Sequence, residues 1–168
     1  MTDPGLRPSQ TRIVEDNLRY AVRHAASLTG AGPLVAAAAG LGDSDAAEPD
    51  PALPPVGATT TRDLVVKDSD TAAALGHPDE AVTVLASPRL GLWFELVCCD
   101  LLPAPGEGPT TVGSGILVHH LGKSEVGETV TLDATVAHTS GRHVVFDCLA
   151  RTGDRVVGVG THHRVLLR

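Results

Sequence analysis

A single carboxylate interrupts an apolar run in this chain. Between Leu90 and Cys99 the only charged residue is Glu95. A helix that is apolar nearly all round is normally buried, and a carboxylate is almost never buried without a partner. Such a group is paired with a cation, protonated, or used in chemistry, because a carboxyl in a dry site can exchange protons near neutral pH.

Two more residues could join Glu95 in such chemistry. Ser87 stands before Pro88, so its hydroxyl fits a helix N-cap, or it could position water or attack a carbonyl. His119 and His120 are neighbours in a strand-like run and must point to opposite faces of that strand. Only one of the two imidazoles can therefore enter a site, where a group that titrates near neutral pH can carry protons.

The composition limits the classes of function. The formal net charge is −7, which argues against nucleic acid or an anionic membrane as the main partner. The three cysteines show no spacing typical of a zinc site or a disulfide framework. The sequence has neither a long apolar run nor a signal-peptide pattern, so we expect a cytoplasmic protein.

The first third of the chain differs from the rest. Apolar residues at helical spacing predict an amphipathic helix over about 10–28, and the acidic, proline-rich stretch at about 43–57 predicts a linker. We therefore expect an N-terminal extension over 1–57 and a folded domain over 58–168. The extension could pack on the domain, dock a partner, or cover a substrate entrance.

The second part of the chain predicts an α+β fold. A short strand near 62–67 precedes the apolar helix that begins at Ser87, and four strand-like runs follow at about 110–121, 128–139, 143–151 and 155–167. Tight connections between the later runs predict an antiparallel meander. One buried helix and such a sheet together suggest the hot-dog arrangement, in which a curved sheet wraps a central helix.

With the elements placed in this way, the chain from about Asp63 resembles the fluoroacetyl-CoA thioesterase family of hot-dog proteins. Three segments carry the likeness: residues 85–98, residues 106–120 and residues 158–164. The order and spacing of Ser87, Glu95 and His120 match the family's threonine, glutamate and histidine. The threonine is a serine here, which keeps the hydroxyl, and residues 1–57 have no counterpart.

The resemblance implies a thioesterase that acts on a small or medium acyl thioester. Glu95 would activate water or form an acyl-enzyme, with His120 and Ser87 assisting. Gly113 would offer a backbone N–H to the thioester oxygen, Arg164 would meet a coenzyme A phosphate or pair with a carboxylate, and Phe94 would help to shape the pocket. No metal or other cofactor is expected, because coenzyme A or phosphopantetheine enters as part of the substrate.

Geometry adds a condition to this hypothesis. If Ser87 and Glu95 share one helix, a rise of about 1.5 Å per residue separates them by about 12 Å. A site that uses two chains would bring such groups together, and the resemblance implies a homodimer. The alternatives are a hydrolase acting on an acyl carrier protein, a dehydratase or acyl-binding protein of the same fold, and an interaction module centred on the N-terminal helix.

Overall fold

The computed structural model describes residues 48–104 and 106–167. It contains one α-helix and one antiparallel sheet of five strands. The elements in chain order are β1 (Thr59–Val65), a 3-10 turn (Asp68–Asp70), α1 (Ser87–Cys99), β2 (Thr111–His120), β3 (Thr129–Ser140), β4 (His143–Thr152) and β5 (Arg155–Leu166). The predicted α+β class is confirmed, and each strand lies within a few residues of its expected position.

The strand order is β1-β3-β4-β5-β2, so the chain does not form one continuous meander. Strands β3, β4 and β5 do pair in sequence through tight turns, where Gly141 and Gly153 adopt positive φ angles of 51° and 55°. Strand β2 instead pairs with β5, although β3 follows it in the sequence. Strands β1 and β2 therefore form the two opposite edges of the sheet.

Helix α1 begins at Ser87, but the serine does not cap it. The N-cap position belongs to Ala86, which forms no side-chain cap, and proline stands in the first turn, where its missing N–H costs nothing. Upstream contacts fix the helix start: the N–H of Ala86 donates to the carbonyl of Asp70 at 2.9 Å, and Arg89 Nε pairs with Asp70 Oδ1 at 3.0 Å. The Ser87 hydroxyl is thereby left for another partner.

The hydrophobic core lies between α1 and one face of the sheet. The helix contributes fully buried side chains to the core, among them Leu90, Phe94 and Val97. Strands β3 and β4 supply most of the side chains that face the helix, among them Leu132, Val136 and Phe146. Gly160 on β5 makes close packing possible, since a Cβ there would overlap the carbonyl of Leu117 and lie 3.1 Å from the Phe94 ring. The glycine lets the helix press onto the sheet.

The helix is not buried on all sides, contrary to the expectation from its composition. Leu92 is 41% exposed and Leu96 is 38% exposed, and the Glu95 side chain lies beside them at 41% exposure. A five-stranded sheet covers only one face of a helix this long. The apolar sequence of α1 therefore exceeds what residues 48–104 and 106–167 of one copy bury.

The predicted N-terminal helix at about 10–28 lies outside the described residues. Part of the segment predicted as a linker packs on the domain: the N–H of Asp50 donates to the Gly141 carbonyl at 2.7 Å, and Leu53 lies in the core. Over the described parts of the chain, no helix has the length and apolar character needed to cross a membrane.

Candidate functional site

The first polar cluster lies at the start of α1. Ser87 Oγ and His120 Nδ1 are 2.9 Å apart, within hydrogen-bond distance. The helix start holds Ser87, and the last position of β2 carries His120. The structure therefore brings together two residues that are 33 positions apart in the sequence, and it selects His120 over His119 for contact with the serine.

His120 is poised as a neutral imidazole. Burial lowers its pKa below the ordinary histidine value, while the backbone of Gly122 weakly opposes that shift. A neutral Nδ1 can accept the Ser87 hydroxyl proton, which leaves the hydrogen on Nε2. Despite the nearby Gly122 backbone, Nε2 is buried without a hydrogen-bond partner among the described residues.

An open cavity of about 450 Å³ adjoins this pair. Ser87 and His120 lie on its wall, and most of the remaining lining is small and aliphatic. The other lining residues are Ala72, Val82, Val84, Leu85, Ala86, Leu121, Gly122 and Lys123. Space of this kind suits an apolar chain or a narrow polar arm placed next to the serine hydroxyl.

The second polar cluster surrounds Glu95, two turns further along the helix. Glu95 Oε1 accepts a hydrogen bond of 2.9 Å from Arg164 Nη1. Arg164 is almost fully buried, whereas the carboxylate side chain is 41% exposed. Glu95 is therefore neither isolated nor protected by burial: a buried guanidinium holds one of its oxygens. Arg164 pairs with a carboxylate here, which was one of the two roles considered for it.

Arg164 itself is held by three further acceptors. Its Nε donates to Thr111 Oγ1 at 3.0 Å, and its Nη2 donates to the Thr111 carbonyl at 3.0 Å. Its Nη1 lies 3.1 Å from His162 Nε2. An arginine has no acceptor, so the His162 Nε2 lone pair must receive this bond. His162 is consequently neutral, and its Nδ1–H donates to the Gly115 carbonyl at 3.0 Å.

The electrostatics of His162 agree with that tautomer. Burial and the neighbouring Arg164 charge both lower the pKa of His162, whereas Glu95 opposes them. Thr111 and His162 were not predicted as members of the site. The alternation of β5 places His162 and Arg164 on one face, which the sequence could have shown. The contribution of Thr111 depends on strand register, which the sequence does not reveal.

Gly113 lies against the second cluster. A Cβ at this position would come within 3.2 Å of both Glu95 Oε1 and His162 Cε1, so the missing side chain gives these groups their room. The β2–β5 register shifts between Gly113 and Gly115, which marks a bulge next to the site. Phe94 is fully buried in the core. Its burial argues against direct contact with a substrate.

The two clusters do not meet within one chain. Ser87 and Glu95 share α1, and their positions on it put them about 12 Å apart along the axis. Within residues 48–104 and 106–167, no group of three or more His, Cys, Asp or Glu side chains is arranged to hold a metal ion. One end of the helix thus carries a hydroxyl–imidazole pair, and its later turns carry a carboxylate–guanidinium pair.

Comparison with protein families gives the fold and these residues a context. The family model for the fluoroacetyl-CoA-specific thioesterase FlK matches residues 66–168, which include α1 and strands β2 to β5. The chain belongs to this family. Membership makes it a thioesterase-family enzyme and confirms the resemblance seen in the sequence. The comparison with curated proteins gives no match.

Solved structures agree with the family assignment. A threonine-to-serine variant of FlK in complex with acetyl-CoA is 30% identical over 67% of this chain and 89% of that chain, with a TM-score of 0.62. A hot-dog-like protein from Thermanaerovibrio acidaminovorans is 26% identical over 67% of this chain and 83% of that one, with a TM-score of 0.60. A thioesterase superfamily member from Thermus thermophilus is 25% identical over the same shares, with a TM-score of 0.59. The predicted hot-dog fold is confirmed.

Proposed function

We propose that this protein hydrolyses a small or medium acyl-CoA thioester, with Ser87, His120 and Glu95 as its catalytic residues. The observation that carries the proposal is the 2.9 Å contact between Ser87 Oγ and His120 Nδ1 in a member of a thioesterase family. Glu95 lies on the same helix and is oriented by Arg164. Each of the three residue types that the chemistry requires is therefore held by a specific contact.

Hydrolysis adds water across the thioester and releases a carboxylic acid and a free thiol. Glu95 either removes a proton from the attacking water or attacks the carbonyl carbon to form an anhydride that water then cleaves. His120, neutral because burial lowers its pKa, accepts a hydrogen bond from the Ser87 hydroxyl, and in either route His120 can carry a proton that comes from the water molecule to the departing thiolate. The backbone N–H of Gly113 would stabilise the developing negative charge on the carbonyl oxygen.

Coenzyme A is the proposed handle of the substrate. Relatives of this chain have been solved with acetyl-CoA, and with fluoroacetate and CoA. The cavity beside Ser87 offers an apolar lining to an acyl chain or to the pantetheine arm. Lys123 also lies on the cavity wall, where its exposed ammonium group pairs with Glu125 at 2.6 Å. A cytoplasmic location for the enzyme stays a prediction.

We further propose that each active site uses two copies of the chain. Strand β2 is an edge of the sheet, so one row of its backbone hydrogen-bonding groups has no partner within the described chain. A second copy paired across β2 by a two-fold axis would run its helix antiparallel to the first. The Ser87 end of one helix would then lie beside the Glu95 region of the other.

The composition of β2 supports this arrangement. Natural edge strands are commonly protected by charged residues. β1 carries Arg62 and Asp63, whereas β2 contains no Lys, Arg, Asp or Glu. Two of the apolar side chains of β2, Val112 and Ile116, are 39% and 48% exposed. A homodimer would cover this edge together with the open face of α1.

A thiol-release assay tests the activity. The purified wild type and the Glu95→Gln variant are each assayed with short, branched, aromatic and fluorinated acyl-CoAs. We expect release from at least one acyl-CoA and a loss of about 100-fold or more in kcat for the variant. Thiol release only from an acylated phosphopantetheinyl carrier protein would show that the substrate is carried by that protein and not by coenzyme A. Binding of acyl-CoA by the wild type, with no thiol released from any acyl-CoA or from the acylated carrier protein, would reject hydrolysis.

Mixing two inactive variants tests the shared site. Ser87→Ala and Glu95→Gln are each expected to be inactive as homodimers. Unfolding and refolding them together at equal concentration makes half of the dimers mixed, and each mixed dimer has one intact site. We expect recovery of about one quarter of wild-type activity if the site is shared between two copies. No recovery, with mixed dimers confirmed by native mass spectrometry, would place all three residues in one chain.

A further inference from the structure

Arg164 makes an unusually complete set of contacts for a residue that touches Glu95. Four of its five N–H groups are accounted for by hydrogen bonds to Thr111 Oγ1, the Thr111 carbonyl, His162 Nε2 and Glu95 Oε1. Only one of the four acceptors belongs to the proposed catalytic residues. The other three come from the edge strand β2 and from its neighbour β5.

These acceptors fix the plane of the guanidinium. Thr111 accepts hydrogen bonds from Nε through its hydroxyl and from Nη2 through its carbonyl, and neutral His162 accepts one from Nη1. His162 is fixed in turn by Gly115 at the β2 bulge. Because a planar guanidinium held at three points has little rotational freedom, the second N–H of Nη1, which binds Glu95, points in one direction. Within the described parts of the chain, the half-exposed Glu95 carboxylate has no other hydrogen bond to orient it.

We propose that Thr111 is a positioning residue for Glu95 and that it acts through Arg164. The proposal rests on the proposed function, in which Glu95 must meet a water molecule or the thioester carbonyl at a defined angle. Within the described residues, Thr111 has no hydrogen bond to Glu95 and does not line the cavity beside Ser87, so its effect on Glu95 must pass through the guanidinium. Its hydroxyl is the one side-chain oxygen that Arg164 Nε binds.

Three substitutions separate the hydroxyl from the shape of the side chain. Thr111→Val keeps the shape and removes the acceptor, Thr111→Ser keeps the acceptor and removes the methyl group, and Thr111→Ala removes both. Thr59→Val makes the same change at the exposed start of β1, on the opposite edge of the sheet. It serves as the matched control because that edge is remote from the proposed site.

In the thiol-release assay we expect Thr111→Val and Thr111→Ala to lower kcat about tenfold, with KM within about twofold of wild type, because the reacting carboxylate loses its orientation while the binding surface is unchanged. Thr111→Ser and Thr59→Val should keep at least half of the wild-type kcat. Equal losses in Thr111→Ser and Thr111→Val, or a wild-type kcat in Thr111→Val, would overturn the proposal. A wild type that releases thiol but responds to none of these changes leaves the proposed function intact.

A readout that does not depend on turnover completes the test. The Nε–H of Arg164 can be followed in ¹H–¹⁵N spectra and assigned with Arg164→Lys. We expect slow exchange with water in the wild type and in Thr111→Ser, and exchange at least tenfold faster in Thr111→Val, because one protecting acceptor is gone. Unchanged exchange in Thr111→Val would overturn the positioning role even if no thioester is hydrolysed. In that case the failure of the proposed function is recorded separately by the wild-type assay.

Discussion

At the scale of single residues, the reactive groups are held by contacts and not by deep burial. Glu95 is about two-fifths exposed and is oriented by the buried Arg164. Ser87 lies at the surface, where its hydroxyl donates a hydrogen bond to the half-buried His120. Such groups stay accessible to a substrate while their directions are fixed, which is the arrangement that proton transfer requires.

Gly113 gives a test at this scale. In Gly113→Ala the new methyl group would lie 3.2 Å from Glu95 Oε1 and from His162 Cε1, closer than ordinary contact. The flexible carboxylate is the group that can move, so we expect kcat to fall about tenfold, or about 1.4 kcal/mol in activation free energy. The free energy of unfolding should change by less than about 1 kcal/mol. Thiol release and urea unfolding measure the two effects.

Gly91→Ala is the matched control for that change. A methyl group on Gly91 would meet Val118 at 3.5 Å, which is ordinary van der Waals contact, and alanine is the better helix former. This variant should keep wild-type kcat. If Gly113→Ala also kept full activity, the space left by the glycine would have no bearing on Glu95.

At the scale of secondary structure elements, the two edge strands differ in character. β1 is interrupted by charged residues, and β2 presents apolar side chains and no charge from Lys, Arg, Asp or Glu. Helix α1 also leaves Leu92 and Leu96 exposed, on the helix face that carries Glu95. A pairing surface on β2 would account for the strand and the helix together, because one partner would cover both.

Introducing one lysine on each edge tests this difference. Ile116→Lys is expected to weaken the proposed dimer by about 3 kcal/mol, roughly 100-fold in Kd, because it places an unpaired charge in the interface. Val65→Lys changes a residue of similar exposure, 49% against 48%, on the opposite edge and should leave the dimer unchanged. Sedimentation velocity over a concentration series measures both. A monomeric wild type with full activity would exclude the β2 interface and the shared site.

At the scale of the whole molecule, three histidines link folding to pH. Burial lowers the pKa of His120, His162 and His163, and nearby charge adds to the effect: Arg164 for His162, and His143 for His163. The unfolded chain, with histidine pKa values of about 6.5, therefore binds protons more readily than the folded chain. The stabilising contribution is complete above that value and decreases as the pH falls below it.

We therefore expect the free energy of unfolding to fall between pH 7.5 and pH 5.5. Urea unfolding at fixed protein concentration measures it, because concentration also affects the stability of a dimer. His163→Gln removes one of the three titrating groups and leaves the Ser87–His120 and Glu95–Arg164 contacts in place. In this variant the free energy of unfolding should therefore fall less between pH 7.5 and pH 5.5 than in the wild type. Equal stability at the two pH values would show that burial of these imidazoles has no energetic consequence.

Much of the fold follows from local patterns in the sequence. Alternating apolar residues in β3 and β4 specify which side of each strand is buried, and glycines at the tight turns allow positive φ. The proline after Ser87 marks the start of the helix to the residue. The position of β2 beside β5 has no local signal, because it depends on contacts between distant segments, and a meander was expected in its place.

The sequence by itself determined the α+β class, the resemblance to a thioesterase family, and the identity of Ser87, Glu95 and His120 as the candidates for chemistry. Only the tertiary structure decided what each of them touches. It showed that the Ser87 hydroxyl contacts His120 and does not cap the helix. It also placed Arg164 against Glu95, with Thr111 and His162 holding the guanidinium. The physical reason is that residue type and spacing define local backbone structure, whereas contacts between side chains depend on strand order and register.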